Sequence, residues 1–288
     1  MAKRKRRKIK KNVFGSFILF FFLVATFVNA CNDFYEHNQP VNTPNVVEQD
    51  MRYRNTYNFE NFKLVDNRLY YESDEYTSET GIDVSVHQKE IDFNKVKNDG
   101  ISFVYIRVGY RGYSTGEIHE DAYFRENVKN AINAGLKVGV YFFSQATNAK
   151  EAQEEAEFVL YCIKDYKIAL PIAYDMEYVT QEDRIKDLTN EQLTECAKSF
   201  ADTIRSAGYD STIYESSSWL IHSIDMTVLQ DYNSFWVASY HTGKMPYNYV
   251  FDIWQYTPNG HVDGIETDVD MNIMIKKKGT LKSSVAVV

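Results

Sequence analysis

The chain has 288 residues, 44% of them hydrophobic and 25% charged, with a net charge of −8. This length accommodates one large domain with extensions or two small domains, with a substantial core. The first twelve residues hold eight Lys and Arg and no acidic residue, so the remainder carries 24 basic and 40 acidic side chains. This acidic body argues against a nucleic-acid partner, which needs a basic surface, and is compatible with a polysaccharide substrate or a basic surface.

The N-terminus has the pattern of a targeting segment. A basic run from Lys3 to Lys11 precedes an almost unbroken apolar run from Val13 to Ala30. We predict residues 1–30 to be a membrane signal anchor, with a cleaved signal peptide or lipid modification after cleavage near Cys31 as alternatives. Each of the three places the rest of the chain outside the cytoplasm, at the cell surface or secreted.

Cysteine and histidine usage excludes several kinds of site. The three cysteines, Cys31, Cys162 and Cys196, do not make a disulfide scaffold. Cys162 and Cys196 fall on separate predicted helices, where buried free thiols are favoured and a single disulfide is the alternative. The six histidines lack the spacing of metal ligands, and the sequence contains neither a Gly-x-Ser-x-Gly elbow nor a phosphate-binding Gly-x-x-x-x-Gly-Lys loop. We therefore predict no metal and no cofactor.

Composition divides the rest of the chain into three parts. Residues 31–78 are predicted as a spacer, in which alternation from Phe62 to Tyr71 would suit a short hairpin. Regular patterns begin after Gly81, and we place one catalytic domain at 79–276. Residues 277–288 are predicted as a tail.

Strands and helices alternate within 79–276. Predicted strands cover 82–86, 103–108, 137–143, 170–175, 212–214, 235–239, 252–256 and 269–272, and predicted helices cover 91–98, 122–134, 150–164 and 190–207. The alternation predicts parallel β-α-β units, in an open sheet or a closed barrel. Because no Gly-x-Gly-x-x-Gly follows the first strand and helices are lacking in the last third, a barrel with an irregular final third fits better.

One apolar strand ends in two acidic residues. The run from Ala169 to Tyr174 leads into Asp175, Met176 and Glu177. Residues two apart on a strand point to the same side, so the two carboxyl groups should face one way, about 6–7 Å apart. Like charges so placed move each other's pKa, and a protonated acid beside an ionised carboxylate is what glycosidic-bond cleavage requires.

Other predicted strand ends supply further carboxylates and aromatic rings. In a barrel the C-terminal ends of the strands meet on one rim, where functional residues gather. Carboxylates bond to sugar hydroxyls and aromatic faces stack on sugar rings, although core packing is the alternative for each ring. The predicted rim residues are Asp83, Tyr141, Tyr214, Trp236, Gln255 and Asp270.

Six motifs occur in order along the chain: Gly81-Ile82-Asp83-Val84-Ser85, Gly139-Val140-Tyr141-Phe142-Phe143, Tyr174-Asp175-Met176-Glu177, Trp236-Val237-Ala238-Ser239-Tyr240, Trp254-Gln255-Tyr256 and Val269-Asp270-Met271-Asn272. Together they resemble the family 25 glycoside hydrolases, the Chalaropsis-type lysozymes or N-acetylmuramidases, over about residues 80–275. The resemblance implies an α/β fold, an irregular TIM-like (β/α)5(β)3 barrel. It also implies hydrolysis of the β-1,4 bond between N-acetylmuramic acid and N-acetylglucosamine in peptidoglycan.

The resemblance assigns roles by position. Glu177 would be the general acid and then the base for water, and Asp175 would either assist the substrate's 2-acetamido group or act as nucleophile. The expected 6–7 Å separation exceeds the roughly 5–5.5 Å of retaining pairs, which favours acetamido participation. The remaining rim residues, Asp83, Asp270, Tyr141, Tyr214, Trp236 and Gln255, would bind substrate.

Phe142 departs from the resemblance, since many family members carry His there, and this bears on subsite detail. The alternative function is a non-catalytic glycan-binding domain derived from such a hydrolase. The expected partner is peptidoglycan, with membrane contact through the N-terminal segment, and a monomer is expected.

Overall fold

The computed structural model describes residues 54–180, 183–229, 234–240, 245, 247 and 249–279. The predicted signal segment 1–30, the spacer up to residue 53 and the tail from residue 280 lie outside the described residues. Among the helices in these ranges, none has the length and apolar character needed to cross a bilayer.

A hairpin precedes the main sheet. Strands β1 (Phe62–Val65) and β2 (Arg68–Tyr71) pair antiparallel. The two turn residues, Asp66 and Asn67, have positive φ angles of 48° and 61°, as a two-residue type I′ turn requires, and Asp and Asn tolerate this conformation well. Tyr71 is buried in the core, so the hairpin packs against the body of the protein.

Nine further strands form one sheet: β3 (Tyr76–Val84), β4 (Phe103–Arg111), β5 (Ile118–Glu120), β6 (Lys137–Phe143), β7 (Ile172–Asp175), β8 (Ser211–Ser216), β9 (Ser234–Ala238), β10 (Ile253–Gly260) and β11 (Val269–Lys277). Strand β3 thus begins before residue 79, the start expected for the barrel. Eight of these strands close in the order β3-β4-β6-β7-β8-β9-β10-β11, while β5 adds to β4. The pairings from β3 round to β10 are parallel, and β11 runs antiparallel to both of its neighbours.

Helices follow the first five barrel strands: α1 (Phe93–Asn98), α2 (Phe124–Asn133), α3 (Ala149–Ile163), α4 (Asn190–Ser206), and the short α5 (Ser217–His222) and α6 (Met226–Leu229). Thr189 and Gln192 form a capping box at the start of α4. Cys162 and Cys196, on α3 and α4, are buried free thiols. No helix follows β9 or β10 in the described residues, so the predicted irregular barrel with five β-α units and three final strands is confirmed.

Two hydrophobic layers lie on either side of the barrel wall. Strand β4 shows the alternation: Val104 and Ile106 pack in the outer core beneath the helices, whereas Phe103 and Tyr105 fill the barrel interior. A Cβ on Gly139 would lie 2.6 Å from the Tyr105 ring, so glycine is needed there for the ring to fit. The next inward position along β4 is Arg107, which lies above this interior plug at the mouth of the barrel.

Candidate active site

A cleft of about 580 Å³ opens at the C-terminal ends of the barrel strands. All eight site residues predicted from the sequence line it: Asp83, Tyr141, Asp175, Glu177, Tyr214, Trp236, Gln255 and Asp270. The topology explains the convergence, because parallel strands place their C-terminal ends on one rim. The antiparallel strand β11 joins them because Asp270 pairs directly with Asp83 across the β11–β3 ladder.

Asp175 and Glu177 form a pair of carboxyl groups at the end of β7, and each shifts the pKa of the other. Both line one cleft, as predicted. Strand β7 ends at Asp175, so Glu177 lies beyond the strand and strand spacing does not set its position. The strand spacing behind the expected 6–7 Å therefore does not extend to Glu177, and acetamido participation stays a prediction.

Burial raises the pKa of both members of the pair. Asp175 is only 4% exposed, and its pKa is raised well above the usual value by burial and by the charge of Glu177. The hydrogen bond from Asp175 partly offsets the effect of burial on Glu177. Ionisation of both groups together is therefore opposed, which favours one proton shared by the pair.

A buried hydrogen-bond network fixes Asp83. Its Oδ2 accepts hydrogen bonds from Gln255 Nε2 at 2.8 Å and from Asn272 Nδ2 at 2.7 Å. Burial nevertheless raises the pKa of Asp83 to about 7, against the opposing effect of these two donors. Gln255 is itself oriented by the hydroxyls of Tyr214 and Tyr240, which donate to its Oε1 at 2.9 and 2.6 Å.

Asp270 is the fourth carboxyl group of the cleft. Its pKa is raised to about 9 by burial first and then by the negative charges of Asp83 and Glu177. Four carboxyl groups so close together cannot all ionise at neutral pH, since each ionisation opposes the next. The cleft therefore retains protons available for donation.

Aromatic side chains form the floor. Trp236 is 1% exposed and its ring lies 4.5 Å from Tyr105 and 4.6 Å from Tyr214, measured between centroids. Its Nε1 donates to Asn272 Oδ1 at 2.7 Å, which turns the Asn272 amide toward Asp83. Trp236 therefore shapes and supports the cleft, and the more exposed Tyr240 and Tyr113 stand nearer its mouth.

Three residues that build the cleft were not predicted from the sequence. Asn272 lies two residues after Asp270 on β11 and so shares its face, which strand alternation could have shown. Arg107 lines the cleft and pairs with Asp121 at 2.8 Å, but a single basic residue on an apolar strand gives no motif. Glu215 is buried near the pair, whose negative charges help to raise its pKa, and its Oε2 accepts a hydrogen bond from the backbone N–H of Ser216 at 3.2 Å.

The sequence predicted no metal site for this protein. Across the described ranges, no group of His, Cys, Asp and Glu side chains has an arrangement that could hold a metal ion. The acid pair and the flanking carboxyl groups, above an aromatic floor, can provide proton transfer to a polar, ring-shaped ligand.

Comparison with known proteins gives a consistent result. Residues 82–265 match the model for glycosyl hydrolases family 25. The chain is 29% identical to an autolytic lysozyme of Clostridium acetobutylicum, over 67% of this chain and 54% of that protein. It is 30% identical to lysozyme M1 of Streptomyces globisporus, over 67% of this chain and 66% of that protein. The chain thus spans about half of the first relative and just under two thirds of the second.

A solved structure supports the same assignment. The crystal structure of the bacterial lysozyme from Streptomyces coelicolor superposes with a TM-score of 0.55 at 26% identity, covering 70% of this chain and 93% of that one. The family model covers more than half of the sequence, including the acid pair, Gln255 and the other cleft residues up to residue 265. The chain therefore belongs to the glycosyl hydrolases of family 25.

Proposed function

We propose that the protein is a lysozyme, an N-acetylmuramidase that hydrolyses the β-1,4 bond between N-acetylmuramic acid and N-acetylglucosamine in peptidoglycan. The observation that carries this proposal is the buried, interacting pair of acidic side chains, Asp175 and Glu177, in the cleft of a family 25 barrel. The names of the two relatives, both lysozymes, support the substrate class.

Glu177 acts as the general acid and then as the base. It is the member of the pair with the greater exposure to the cleft, where a leaving-group oxygen can reach it. Protonation of that oxygen allows the glycosidic bond to break, and the resulting carboxylate then activates a water molecule.

Asp175 assists the substrate's 2-acetamido group or attacks as nucleophile. In the first case the acetamido N–H donates a hydrogen bond to Asp175, which stabilises the ionised form and lowers its pKa. Substrate binding would then move the shared proton to Glu177, the position from which it can be delivered. Inhibition by a thiazoline analogue of the cyclised acetamido intermediate would favour this role, and a trapped glycosyl ester on Asp175 would favour the nucleophile.

The remaining cleft residues bind and orient the sugar. Asp83 and Asp270 accept hydrogen bonds from hydroxyls, Gln255, Tyr141 and Tyr214 line the same pocket, and Trp236 forms its floor. The fixed orientation of Asp83 by Gln255 and Asn272 prepares this acceptor before substrate arrives.

The experiment is incubation of purified cell wall with the full-length protein and with Glu177→Gln. We expect the wild type to release reducing ends of muramic acid. The variant should lose nearly all turnover yet still bind the wall, because the amide keeps the shape of the side chain but cannot donate the acid proton. Reducing ends of glucosamine would identify another bond, binding without release by the wild type would indicate a glycan-binding domain, and an active variant would refute the role of Glu177.

The place of action is also a proposal. Residues 1–30 would anchor the protein in the membrane with the barrel outside the cytoplasm, and cleavage near Cys31 would give a secreted or lipid-modified form. Cell fractionation with N-terminal mass analysis distinguishes the three forms. The barrel is proposed to act as a monomer, which light scattering would test.

A further inference from the structure

The cleft contains one permanently charged cation among the described residues that line it, Arg107. Four carboxyl groups share this cleft, so a cation is not needed to attract the neutral hydroxyls of a sugar. Neither the acid pair nor the binding of hydroxyls explains why Arg107 lies at the mouth of the cleft.

The guanidinium of Arg107 is held in place by an ion pair with Asp121. Arg107 Nε donates to Asp121 Oδ2 at 2.8 Å, and the Arg107 side chain is 14% exposed. Asp121 also accepts hydrogen bonds from the backbone N–H groups of Val86 and Tyr123, each at 3.0 Å. The negative charge of Asp121 is therefore shared among three donors, which leaves Arg107 with cationic character toward the cleft.

The other end of the guanidinium is available to a ligand. Only Nε is engaged in the ion pair, and the two terminal nitrogens make no hydrogen bond to the described part of the chain. The group lies over the ring of Tyr110, 5.6 Å from its centroid, which restrains its plane. Two adjacent N–H donors in a fixed plane match the two oxygens of a carboxylate.

We propose that Arg107 is an anion-binding subsite for the carboxyl-bearing substituent of N-acetylmuramic acid, and so distinguishes this sugar from N-acetylglucosamine. The inference rests on the proposed muramidase function and adds the substituent that the cleft recognises. N-acetylmuramic acid differs from N-acetylglucosamine by a lactyl ether, whose carboxyl group is free in peptide-stripped strands and linked to the stem peptide in intact wall. The carboxylate that Arg107 binds thus has two sources, the lactyl group or the stem peptide.

Three substrates separate these sources: intact soluble peptidoglycan, strands stripped of peptide, and stripped strands whose lactyl carboxylates are methyl-esterified. For Arg107→Gln we expect KM to rise about 10- to 100-fold on a substrate that presents the bound carboxylate, as loss of a charge-assisted hydrogen-bonded pair implies. The value of kcat should change much less. A loss on stripped strands that disappears on the ester assigns the lactyl carboxylate, and a loss confined to intact peptidoglycan assigns the stem peptide.

Two further variants control for charge and fold. Arg125→Gln removes a cation that pairs with Glu120 outside the cleft and is 44% exposed, so KM should stay at the wild-type value. Arg107→Lys keeps the charge but loses the paired donors, so it should recover only part of the affinity. Unfolding temperatures of all variants show whether an effect on KM arises from loss of the fold.

A binding measurement separates failure of the subsite from failure of the proposed function. Calorimetry of stripped strands and of intact soluble peptidoglycan with Glu177→Gln and with the double variant Arg107→Gln/Glu177→Gln needs no turnover. Weaker binding of either ligand by the double variant supports the subsite even if the wild type releases no reducing ends, and a difference on stripped strands that disappears on esterified strands assigns the lactyl carboxylate. Equal affinity of the two variants for both ligands, or an equal rise in KM on all three substrates, would overturn the subsite.

Discussion

The substitution Asp175→Asn tests whether the acid pair shares one proton. Asp175 and Glu177 line the same cleft, and each carboxyl group shifts the pKa of the other. Two charges about 4 Å apart at an effective dielectric constant of about 20 repel by about 4 kcal/mol, which corresponds to about 3 pH units between the two ionisations of the pair. Removing one carboxyl group removes this separation.

The expected effect is on the alkaline limb of the pH–activity profile. In the wild type this limb reports loss of the shared proton, whose pKa is raised by burial and by the negative partner. In Asp175→Asn the partner carries no charge, and its amide N–H can donate to the Glu177 carboxylate, which favours ionisation. We therefore expect the alkaline limb of kcat/KM to move down by about 3 pH units, together with a large fall in kcat.

The assay is release of reducing ends from solubilised cell wall between pH 4 and 9. Asp270→Asn is the matched control, because it removes a carboxyl group from the same rim that is not hydrogen-bonded to the pair. Its effect on the alkaline limb should be less than about 1 pH unit, as expected for a more distant charge. An alkaline limb that keeps its wild-type position in Asp175→Asn would refute the shared proton.

Three further outcomes are expected. Asn272→Ala removes one of the two hydrogen-bond donors to Asp83, so the pKa of Asp83 should rise from about 7 by about 1 unit. A titration of this carboxyl group by NMR measures the shift, and a curve that matches the wild type would contradict the expectation. Burial raises the pKa of Glu215 well above its usual value, so the uncharged side chain of Glu215→Gln should be tolerated. Glu215→Ala should lose about 1–3 kcal/mol of unfolding free energy in denaturant titrations, because the backbone N–H of Ser216 loses its acceptor. The free energy of unfolding should rise as pH falls from 8 to 5. Asp83 and Glu155 have folded pKa values of about 7, above their unfolded values of about 4, so the folded protein binds more protons than the unfolded protein over this range. A fall in stability between pH 8 and 5 would contradict the raised pKa values of these two buried groups.

Hydrophobic periodicity, turn residues and helix caps were sufficient to predict many of the strands and helices of the barrel. Strand β6 (Lys137–Phe143) has the predicted bounds, because its apolar run is bounded by a glycine turn and a polar segment. Helix α4 begins at the predicted Asn190, where Thr189 and Gln192 cap it. The convergence of Asp83 and Asp270 followed from the motifs, although they are far apart in sequence.

Contacts beyond the strands were not predictable by the same rules. The distance between Asp175 and Glu177 depends on a chain that leaves β7 after Asp175, which strand spacing does not describe. Arg107 gains its orientation from Asp121, a residue on the segment between β5 and α2, and that ion pair arises only from the tertiary fold. Glu215 lies in the short, mostly polar strand β8, and its place near Asp175 depends on the pairing of β7 with β8.

The seam of the barrel lies where the first strand meets the last. Asp83 on β3 and Asp270 on β11 face each other across it, so nearly the whole length of the catalytic domain must be synthesised before these two side chains can become neighbours. A nascent polypeptide that has yet to add β11 lacks Asp270 and Asn272 and leaves Asp83 without one of its donors. The carboxyl cluster of the cleft is therefore complete only when the last strand of the barrel has been added.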